Sequence, residues 1–367
     1  MAVGERLQYA RQRSSMTLQQ VSERTGIGLS SLSEFENGKR NPSMAQVTTL
    51  ASMYGKSMAF FFGEEQILEE VILWRQEPDP GQSAEIERKF LSLCEQYHNL
   101  EAWCDKQTTC KLPSPAKKAA EFRFAEAEAL ATEVRRGLSL GDIPAPILLR
   151  VLEEGCGLKV FHFAFEPHGS AACTVSPTFG KAVLLNTNHA RWRRNFDLAH
   201  ELFHILTWSV FRTAPTGRKP APLEEQLANH FASNLLIPND AFKAALARIA
   251  RKDSVNLHGL RHVAREFDVS MHALLVRTNA VFGQPPKEAI PSLVEQNKEL
   301  GPIHRRGPKL LPERPARFRA LAYEAVAKGE CSLGKFAEYM GISREEAEKQ
   351  IETLGPGHGE EISIAPA

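Results

Sequence analysis

The segment FDLAHELFHIL at residues 196–206 constrains the fold of this chain more than any other part of the sequence. On an α-helix, His200 and His204 stand four positions apart, so both imidazoles leave the same face and can hold one metal ion. Glu201 lies beside them, where a carboxylate can act as the base that accepts a proton from an attacking water. The other members of the segment are mostly apolar, namely Phe196, Ala199, Leu202, Phe203, Ile205 and Leu206. We therefore expect a buried helix that carries a metal-binding histidine pair.

The third ligand of such a site has to come from another segment, because a catalytic zinc ion normally takes three protein ligands and keeps one position open. The best candidate is the helical pattern LEEQLANHFASNLLIP at residues 223–238. Glu224 and Glu225 are both available there, and helical periodicity does not decide between them. The residues themselves predict a Zn²⁺ site made by two histidines and one of these two glutamates.

The segment MTLQQVSERTGIGLSSLSEFENGKRNPS at residues 16–43 carries the second functional signal. Thr17 can cap a first helix, with Gln20 completing a capping box, and Gly26 stands where the chain must leave that helix. A second helix over about residues 29–36 is expected to enter the major groove of DNA, with basic residues following it at the phosphates. The candidate DNA-binding residues are Gln20, Ser30, Ser31, Ser33, Glu34, Lys39 and Arg40. An alternative is a domain that keeps this fold and contacts protein instead.

Residues 4–62 resemble the Xre/Cro-type helix-turn-helix family, on the basis of the ending S-x-x-E-N-G-K-R-x-P-S at residues 33–43. The resemblance implies an N-terminal domain of the five-helix type that binds a double-stranded DNA operator as a homodimer. The reading face is short and rich in serine, so phosphate contacts are expected to supply much of the affinity.

The pattern HELFH, followed some twenty residues later by E-x-x-A-N-x-F-A-x-x-L-L-x-P, resembles the ImmA/IrrE family of metallopeptidases. The resemblance covers about residues 119–282, and more loosely 316–354, and it implies that Glu225 is the third zinc ligand. Two positions depart from the family pattern, which usually has glycine in place of Phe203 and threonine in place of Asp197. Phe203 is expected to narrow the cleft beside the metal.

Composition and charge limit the other classes of function. The chain has 367 residues, with 45 basic and 44 acidic side chains and a formal net charge of +1, so nucleic acid must be bound by a local surface. The N-terminus lacks the apolar core of a signal peptide, and no apolar run approaches the ~20 residues that cross a bilayer. The six cysteines form no CxxC pair. We expect a cytoplasmic protein that has no membrane partner.

The fold class expected from these patterns is a multidomain, mainly α chain, in which the helix-turn-helix domain precedes an α+β zincin-like domain with a helical extension. Strands are expected at residues 158–165 and 182–186, and a helical pattern at 64–107 broken at 77–83. The predicted division is a helix-turn-helix domain at 1–65, a helical linker at 66–118, the metallopeptidase domain at 119–282, a proline-rich connection at 283–315, a C-terminal helical segment at 316–356 and a disordered tail at 357–367.

The function implied by both resemblances is that of a DNA-binding transcriptional regulator with a zinc-dependent endopeptidase. Members of the peptidase family commonly cleave a repressor or antitoxin. A fused Xre-type domain often indicates a role in gene regulation, stress response or a toxin–antitoxin system. The alternative is a transcription regulator or antitoxin whose peptidase-like domain acts only as a sensor of a ligand or partner. Glu201 favours the enzyme, because a sensor has no need of a general base.

Overall fold

The computed structural model describes residues 2–14, 16–54, 56, 58–62, 70–107, 112–166, 168–212, 220–250, 254–304 and 311–354. The tail that we expect to be disordered, at 357–367, lies outside the described residues. The chain divides into two compact units. The first unit comprises Met1–Glu69, Glu85–Gln107 and Arg314–Ala367, and the second comprises Glu70–Ala84 and Thr108–Glu313.

The described residues are mainly helical. In chain order the helices are α1 (Val3–Arg13), α2 (Leu18–Thr25), α3 (Leu29–Glu36), α4 (Met44–Tyr54), α5 (Met58–Phe62), α6 (Pro80–Trp103), α7 (Phe124–Gly137), α8 (Ala145–Arg150), α9 (Arg191–Leu206), α10 (Trp208–Phe211), α11 (Pro222–Leu236), α12 (Asn239–Ile249), α13 (Leu257–Glu266), α14 (Met271–Phe282), α15 (Ile290–Glu299), α16 (Ala316–Ala327), α17 (Leu333–Met340) and α18 (Arg344–Leu354). The strands are β1 (Leu73–Trp74), β2 (Lys159–Phe163), β3 (Ala171–Ser176) and β4 (Gly180–Asn186). No helix within the described ranges is long and apolar enough to cross a bilayer.

Helices α1 to α5 of the first unit form a small core of their own. The Thr17 hydroxyl accepts a hydrogen bond from the Gln20 backbone N–H, and the Gln20 amide oxygen accepts one from the Thr17 N–H, so the predicted capping box is confirmed. Gly26 ends α2 at a φ of 72°, a left-handed conformation that glycine adopts without a Cβ clash. Val21, Leu32 and other apolar side chains are buried between the helices.

Helices α6, α16, α17 and α18 belong to the same unit. Asn99 on α6 donates a hydrogen bond to the Tyr339 hydroxyl on α17 at 3.0 Å, and Trp103 stacks on Tyr339 with ring centroids 5.7 Å apart. Lys335 on α17 reaches back to the backbone carbonyl of Met53 at the end of α4. The domain division predicted from the sequence instead places α6 in a linker and α16, α17 and α18 in a C-terminal segment. Local periodicity identifies a helix but does not reveal which distant helix it packs against.

Helices α17 and α18 repeat the spacing of α2 and α3. Thr17 and Ser332 each cap a helix of 8 residues through a side-chain oxygen. Gly26 and Gly341 end those helices with φ values of 72° and 67°. The next helix begins three positions after each glycine, at residues 29 and 344. The first unit therefore contains a second pair of helices with helix-turn-helix spacing.

The second unit contains a four-stranded sheet in the order β1-β3-β4-β2. β3 and β4 form an antiparallel pair, β2 runs parallel to β4, and β1 pairs antiparallel to β3. The strands predicted within 158–165 and 182–186 are confirmed. The helix predicted around Leu73 and Trp74 is wrong, because these residues pair as a strand with Cys173 and Ala172. Their strand partners are about a hundred residues away, where no local pattern reveals them.

Helix α9 lies between the sheet and α11. It contacts β3 and β4, and α11 packs against both α9 and α7. Leu198, Leu202 and Leu227 are among the apolar side chains buried in this core. The architecture confirms the expected fold class, a mainly α chain in which a small mixed sheet accompanies the second unit. It also fixes α9 as an interior helix.

Candidate metal centre

Helix α9 brings polar side chains into the interior of the second unit. Every residue from 197 to 206 is buried, and His200 and Glu201 are 0% exposed. Burial of such groups costs free energy unless each one has a partner. Partners for the histidines and for Asp197 come from the first turns of α11, from the segment that contains β1 and from His189 just before α9.

Donor atoms of three side chains meet beside α9. The Nε2 atoms of His200 and His204 are 3.2 Å apart, and the two carboxylate oxygens of Glu225 each face one of them, Oε2 at 3.3 Å from His200 and Oε1 at 3.3 Å from His204. Two ligands of a tetrahedral ion that each bind at ~2.0–2.1 Å are about 3.3–3.4 Å apart. The three side chains are therefore close enough together to act as three ligands of one tetrahedral metal ion. Within the described ranges, this is the group of histidine, cysteine and carboxylate side chains that could hold a metal ion.

The Nδ1 atoms of the two histidines face acceptors. His204 Nδ1 lies 2.9 Å from Glu224 Oε1, and His200 Nδ1 lies 3.1 Å from Asn229 Oδ1. Because a carboxylate and an amide oxygen only accept, each Nδ1 carries a proton, which leaves Nε2 as the atom of each ring that can bind a metal. A bound cation would take the place of the second proton that His204 carries on Nε2 in the metal-free protein. The tautomers set by these contacts thus fit a metal ion.

Glu224 is held in turn by Arg212. The two guanidinium nitrogens donate to its two carboxylate oxygens at 2.7 and 3.1 Å, and the Arg212 side chain is only 11% exposed. Both Glu224 and Glu225 lie in the first turn of α11, where the helix dipole favours negative charge. Adjacent glutamates therefore have different positions, since Glu225 faces the two Nε2 atoms and Glu224 supports one of the histidines.

Asp197 is another buried carboxylate beside the centre, and it contacts more than one basic side chain. It is 1% exposed and pairs with Arg75 at 2.5 Å and with His189 at 3.3 Å. Arg75 also donates to the Asn229 oxygen at 3.4 Å, the same oxygen that holds His200. Asp197, which departs from the family pattern, thus anchors an arginine that follows β1 directly in the chain.

Glu201 is the buried carboxylate without a satisfied hydrogen bond. Neither of its oxygens has a well-formed hydrogen bond among the described residues, although contact with the Cys173 thiol on β3 acts to lower its pKa. Burial raises the pKa of Glu201 to about 7, against the opposing effect of the nearby His204. A carboxyl group with a pKa near neutrality can accept a proton and return it at physiological pH.

The histidines differ in their protonation. Burial lowers the pKa of His200 to about 4. Burial also acts to lower the pKa of His204, but the hydrogen bond to Glu224 and the ion pair with Glu225 raise it to about 9. For Glu225, burial would raise the pKa, but the two histidines hold it well below its usual range. In the metal-free site an ionised Glu225 thus pairs with a protonated His204, while His200 is neutral.

Phe203 does not narrow a cleft beside the metal centre, and that expectation is wrong. Its side chain is 0% exposed and its ring packs against Phe122 and Phe231 at centroid distances of 5.9 and 5.6 Å. The ring also meets the face of His204 at 5.8 Å. The Phe203 side chain thus points from α9 into the apolar core, where these aromatic rings surround it.

The candidate DNA-binding residues lie along one stretch of α2, α3 and the turn that follows. Gln20, Ser30, Lys39 and Arg40 are exposed, whereas Ser31, Ser33 and Glu34 are half-buried. The Ser33 carbonyl and hydroxyl accept hydrogen bonds from the Asn37 amide at 2.8 and 3.4 Å, which fixes the end of α3. Gln20 uses its amide oxygen in the capping box, so its NH₂ group remains available for other contacts.

Comparisons with known proteins match both regions. A family model described as "Helix-turn-helix" matches residues 7–61, and one described as "IrrE N-terminal-like domain" matches residues 153–279. The second match contains α9 and α11, and therefore all three donor residues. The chain combines a helix-turn-helix domain with an IrrE-like domain. Both predicted resemblances are confirmed at the level of these domains.

Two individual proteins are also similar to parts or all of the chain. The "HTH-type transcriptional regulator ImmR" of Bacillus subtilis (strain 168) is 30% identical over 67 residues, which are 18% of this chain and 53% of that protein. The chain thus spans about half the length of this curated relative. The crystal structure of ComR from Streptococcus suis aligns over 95% of this chain and 87% of that chain, with 14% identity and a TM-score of 0.17. A TM-score this low does not establish a shared fold.

Several residues of the site had no assigned role from sequence. Asn229 lies in the A-N motif, but the sequence pattern assigns no contact to it. Glu224 is predicted from the sequence only as an alternative zinc ligand. Arg212 and Arg75 gave no signal, because their contacts join distant parts of the chain. Arg75 lies outside the matched range 153–279, so the IrrE-like domain here is completed by a segment that precedes it.

Proposed function

We propose that this protein is a DNA-binding transcriptional regulator whose IrrE-like domain is a zinc-dependent endopeptidase. The observation that carries the proposal is the cluster of His200, His204 and Glu225, whose facing donor atoms are 3.2–3.3 Å apart, next to the buried carboxylate of Glu201. A structural site has no use for Glu201, because a closed set of ligands needs no base.

The residues divide the chemistry among them. Zinc, when bound, supplies a positive charge that polarises a peptide carbonyl and lowers the pKa of water. His200, His204 and Glu225 hold the ion, while Asn229 and Glu224 fix the orientation of the two imidazoles. Glu201 accepts a proton from the water that adds to the carbonyl carbon. It then delivers that proton to the amine as the C–N bond breaks.

We propose that the substrate is one specific regulatory protein, a repressor or antitoxin, and that the operator is double-stranded DNA. The helix-turn-helix domain supports the second point, with Lys39 and Arg40 exposed just after α3 for phosphate contacts. We expect a homodimer, because a single unit of this type contacts only a half-site.

The test compares the proteomes of induced host cells that carry either the wild-type protein or Glu201→Gln. The substitution removes the proton acceptor without removing a ligand, so it should preserve zinc and DNA binding and abolish cleavage of the partner. His200→Ala should abolish both zinc binding and cleavage. An unchanged regulatory response with no differential cleavage product would instead assign the domain to sensing a ligand or partner.

A further inference from the structure

A large groove lies beside the metal centre within the second unit. Its volume is about 1160 Å³, and its walls are formed mainly by α9, α11, α14 and α15. One end is lined by Arg75, Asp197 and Asn229. Asn229 is hydrogen-bonded to His200, so this end lies one hydrogen bond away from a metal ligand.

Most of the charged side chains that line the groove are basic. The basic side chains that line it are Arg75, Arg193, Arg277, Lys287 and Lys298, whereas Asp197 is the acidic residue among the lining residues. Arg277 is 3% exposed and donates to Ile237 and Asn239, so the accessible basic residues are the lysines and Arg193. Asp197 is 1% exposed and already paired with Arg75, so it offers little negative charge to a ligand. The side chains of Arg193 and Lys298 are 46% and 65% exposed; Arg193 lies 4.0 Å from Asp197, and Lys298 pairs with Glu295 at 2.8 Å. Because the whole chain carries a net charge of only +1, this imbalance is a local feature of the groove.

The groove also presents apolar surface between its charges. Trp192, Phe196 and Ile303 line it and are only partly buried, and Val276 is 41% exposed. Exposed apolar side chains in a concave surface favour a ligand with apolar groups, since burial of that surface stabilises the complex. The volume exceeds the ~300–1000 Å³ that is usual for sites of small molecules, which favours a chain of several residues.

We propose that this groove binds an extended peptide segment in which acidic side chains alternate with or flank apolar ones. This inference rests on the proposed endopeptidase and names its substrate class, since a segment bound here reaches Arg75 and Asn229 at the edge of the metal centre. The acidic side chains pair with Lys287, Lys298 and Arg193, and the apolar ones pack on the exposed parts of Phe196 and Val276. Complementary charge selects the partner, and apolar contact supplies the affinity.

Binding is measured on full-length, zinc-loaded Glu201→Gln protein, so that cleavage does not interfere. The probes are fluorescein-labelled peptides of about ten residues that alternate Glu with Leu, Gln with Leu, Lys with Leu, or Glu with Ser. In fluorescence anisotropy at low salt, the Glu/Leu peptide should bind at least about tenfold more tightly than each of the other three. Equal affinity for the Glu/Leu and Lys/Leu peptides overturns the proposal.

Charge reversal then locates the site. Lys287→Glu combined with Lys298→Glu should weaken Glu/Leu binding at least about tenfold and improve Lys/Leu binding. The matched control is Lys243→Glu combined with Arg150→Glu, two exposed positions of the same unit that do not line the groove. If both double variants bind the Glu/Leu peptide alike, the groove is not the binding site.

The outcome is separable from that of the proposed function. Tight binding of the Glu/Leu peptide without any cleavage product in cells leaves the groove assignment standing and removes the endopeptidase. Cleavage of a partner that lacks an acidic, apolar segment, by a protein that binds none of the peptides, removes the groove assignment alone.

Discussion

Glu224 accepts a hydrogen bond from Nδ1 of His204 at 2.9 Å, while its neighbour Glu225 faces Nε2 of the same ring at 3.3 Å. The two glutamates thus contact opposite edges of one imidazole. Arg212 fixes Glu224 from behind, while Glu225 directs Oε1 toward His204 and Oε2 toward His200. This arrangement gives adjacent residues of identical chemistry two separable tasks.

The first prediction separates those tasks by zinc affinity. Glu224→Gln should weaken zinc binding by about 10–100-fold, which is typical for loss of a group that orients a ligand. Glu225→Gln should weaken it further, because a ligand itself is lost. Competition with a chromophoric zinc chelator measures both variants, with one zinc per chain expected for the wild type. A reversed order of affinities would assign the ligand role to Glu224.

Sequence alone predicted the helices that carry the site better than it predicted their surroundings. The HELFH pattern and its apolar flanks predicted a buried α9, and the resemblance selected Glu225, whose oxygens the structure brings to both histidines. Arg75 was not predictable, because it reaches Asp197 only through the pairing of β1 with β3. Strand pairing between distant segments leaves no periodic signal in either one. The side-chain direction of Phe203 was missed for a related reason, since it depends on the aromatic partners Phe122 and Phe231, which are distant in sequence.

The second prediction concerns the stability of the metal-free protein. A buried carboxylate without hydrogen-bond partners destabilises the fold, so its replacement by a neutral amide removes part of that cost. Glu201→Gln should raise the free energy of unfolding by about 1–3 kcal/mol in the presence of a chelator at pH 8. Urea denaturation measures the change, and Glu128→Gln on α7 serves as a partly exposed control. A loss of stability in Glu201→Gln would show that the carboxylate is compensated in the fold.

The third prediction tests the role of Phe203. Because the ring is fully buried against other aromatic rings, Phe203→Ala should lower the free energy of unfolding by about 3–5 kcal/mol. Phe203→Leu keeps most of the volume and should cost less. Thermal denaturation of the two variants is the measurement. A destabilisation below that of ordinary surface substitutions, accompanied by broader cleavage specificity, would restore the view that Phe203 restricts a cleft.

The fourth prediction concerns DNA. Lys39 is exposed just beyond α3, where a side chain meets phosphates, so Lys39→Ala should lower affinity for all sequences alike. Glu34→Ala should instead change sequence preference, because a glutamate can pair with a cytosine amino group. Binding to a genomic fragment library at two salt concentrations distinguishes these effects. Failure of the full-length protein to bind any fragment at low salt would identify the helix-turn-helix domain as a protein-interaction module.

The last prediction concerns acid stability and His162 on β2. Burial, together with the nearby Arg194, lowers the pKa of His162 to about 4. The unfolded chain has the ordinary value of about 6.5, so between these two pH values it binds more protons at this residue than the folded chain does. Stability from the neutral imidazole is therefore fully present above pH 6.5 and is lost as the pH falls toward 4.

At pH 4.5 the loss from this one group is about 2–3 kcal/mol. His162→Gln should flatten the pH dependence of unfolding by that amount in chelator-treated protein, as followed by urea denaturation at several pH values. Equal slopes for wild type and His162→Gln between pH 7.5 and 4.5 would show that His162 has the same pKa in the folded and the unfolded chain.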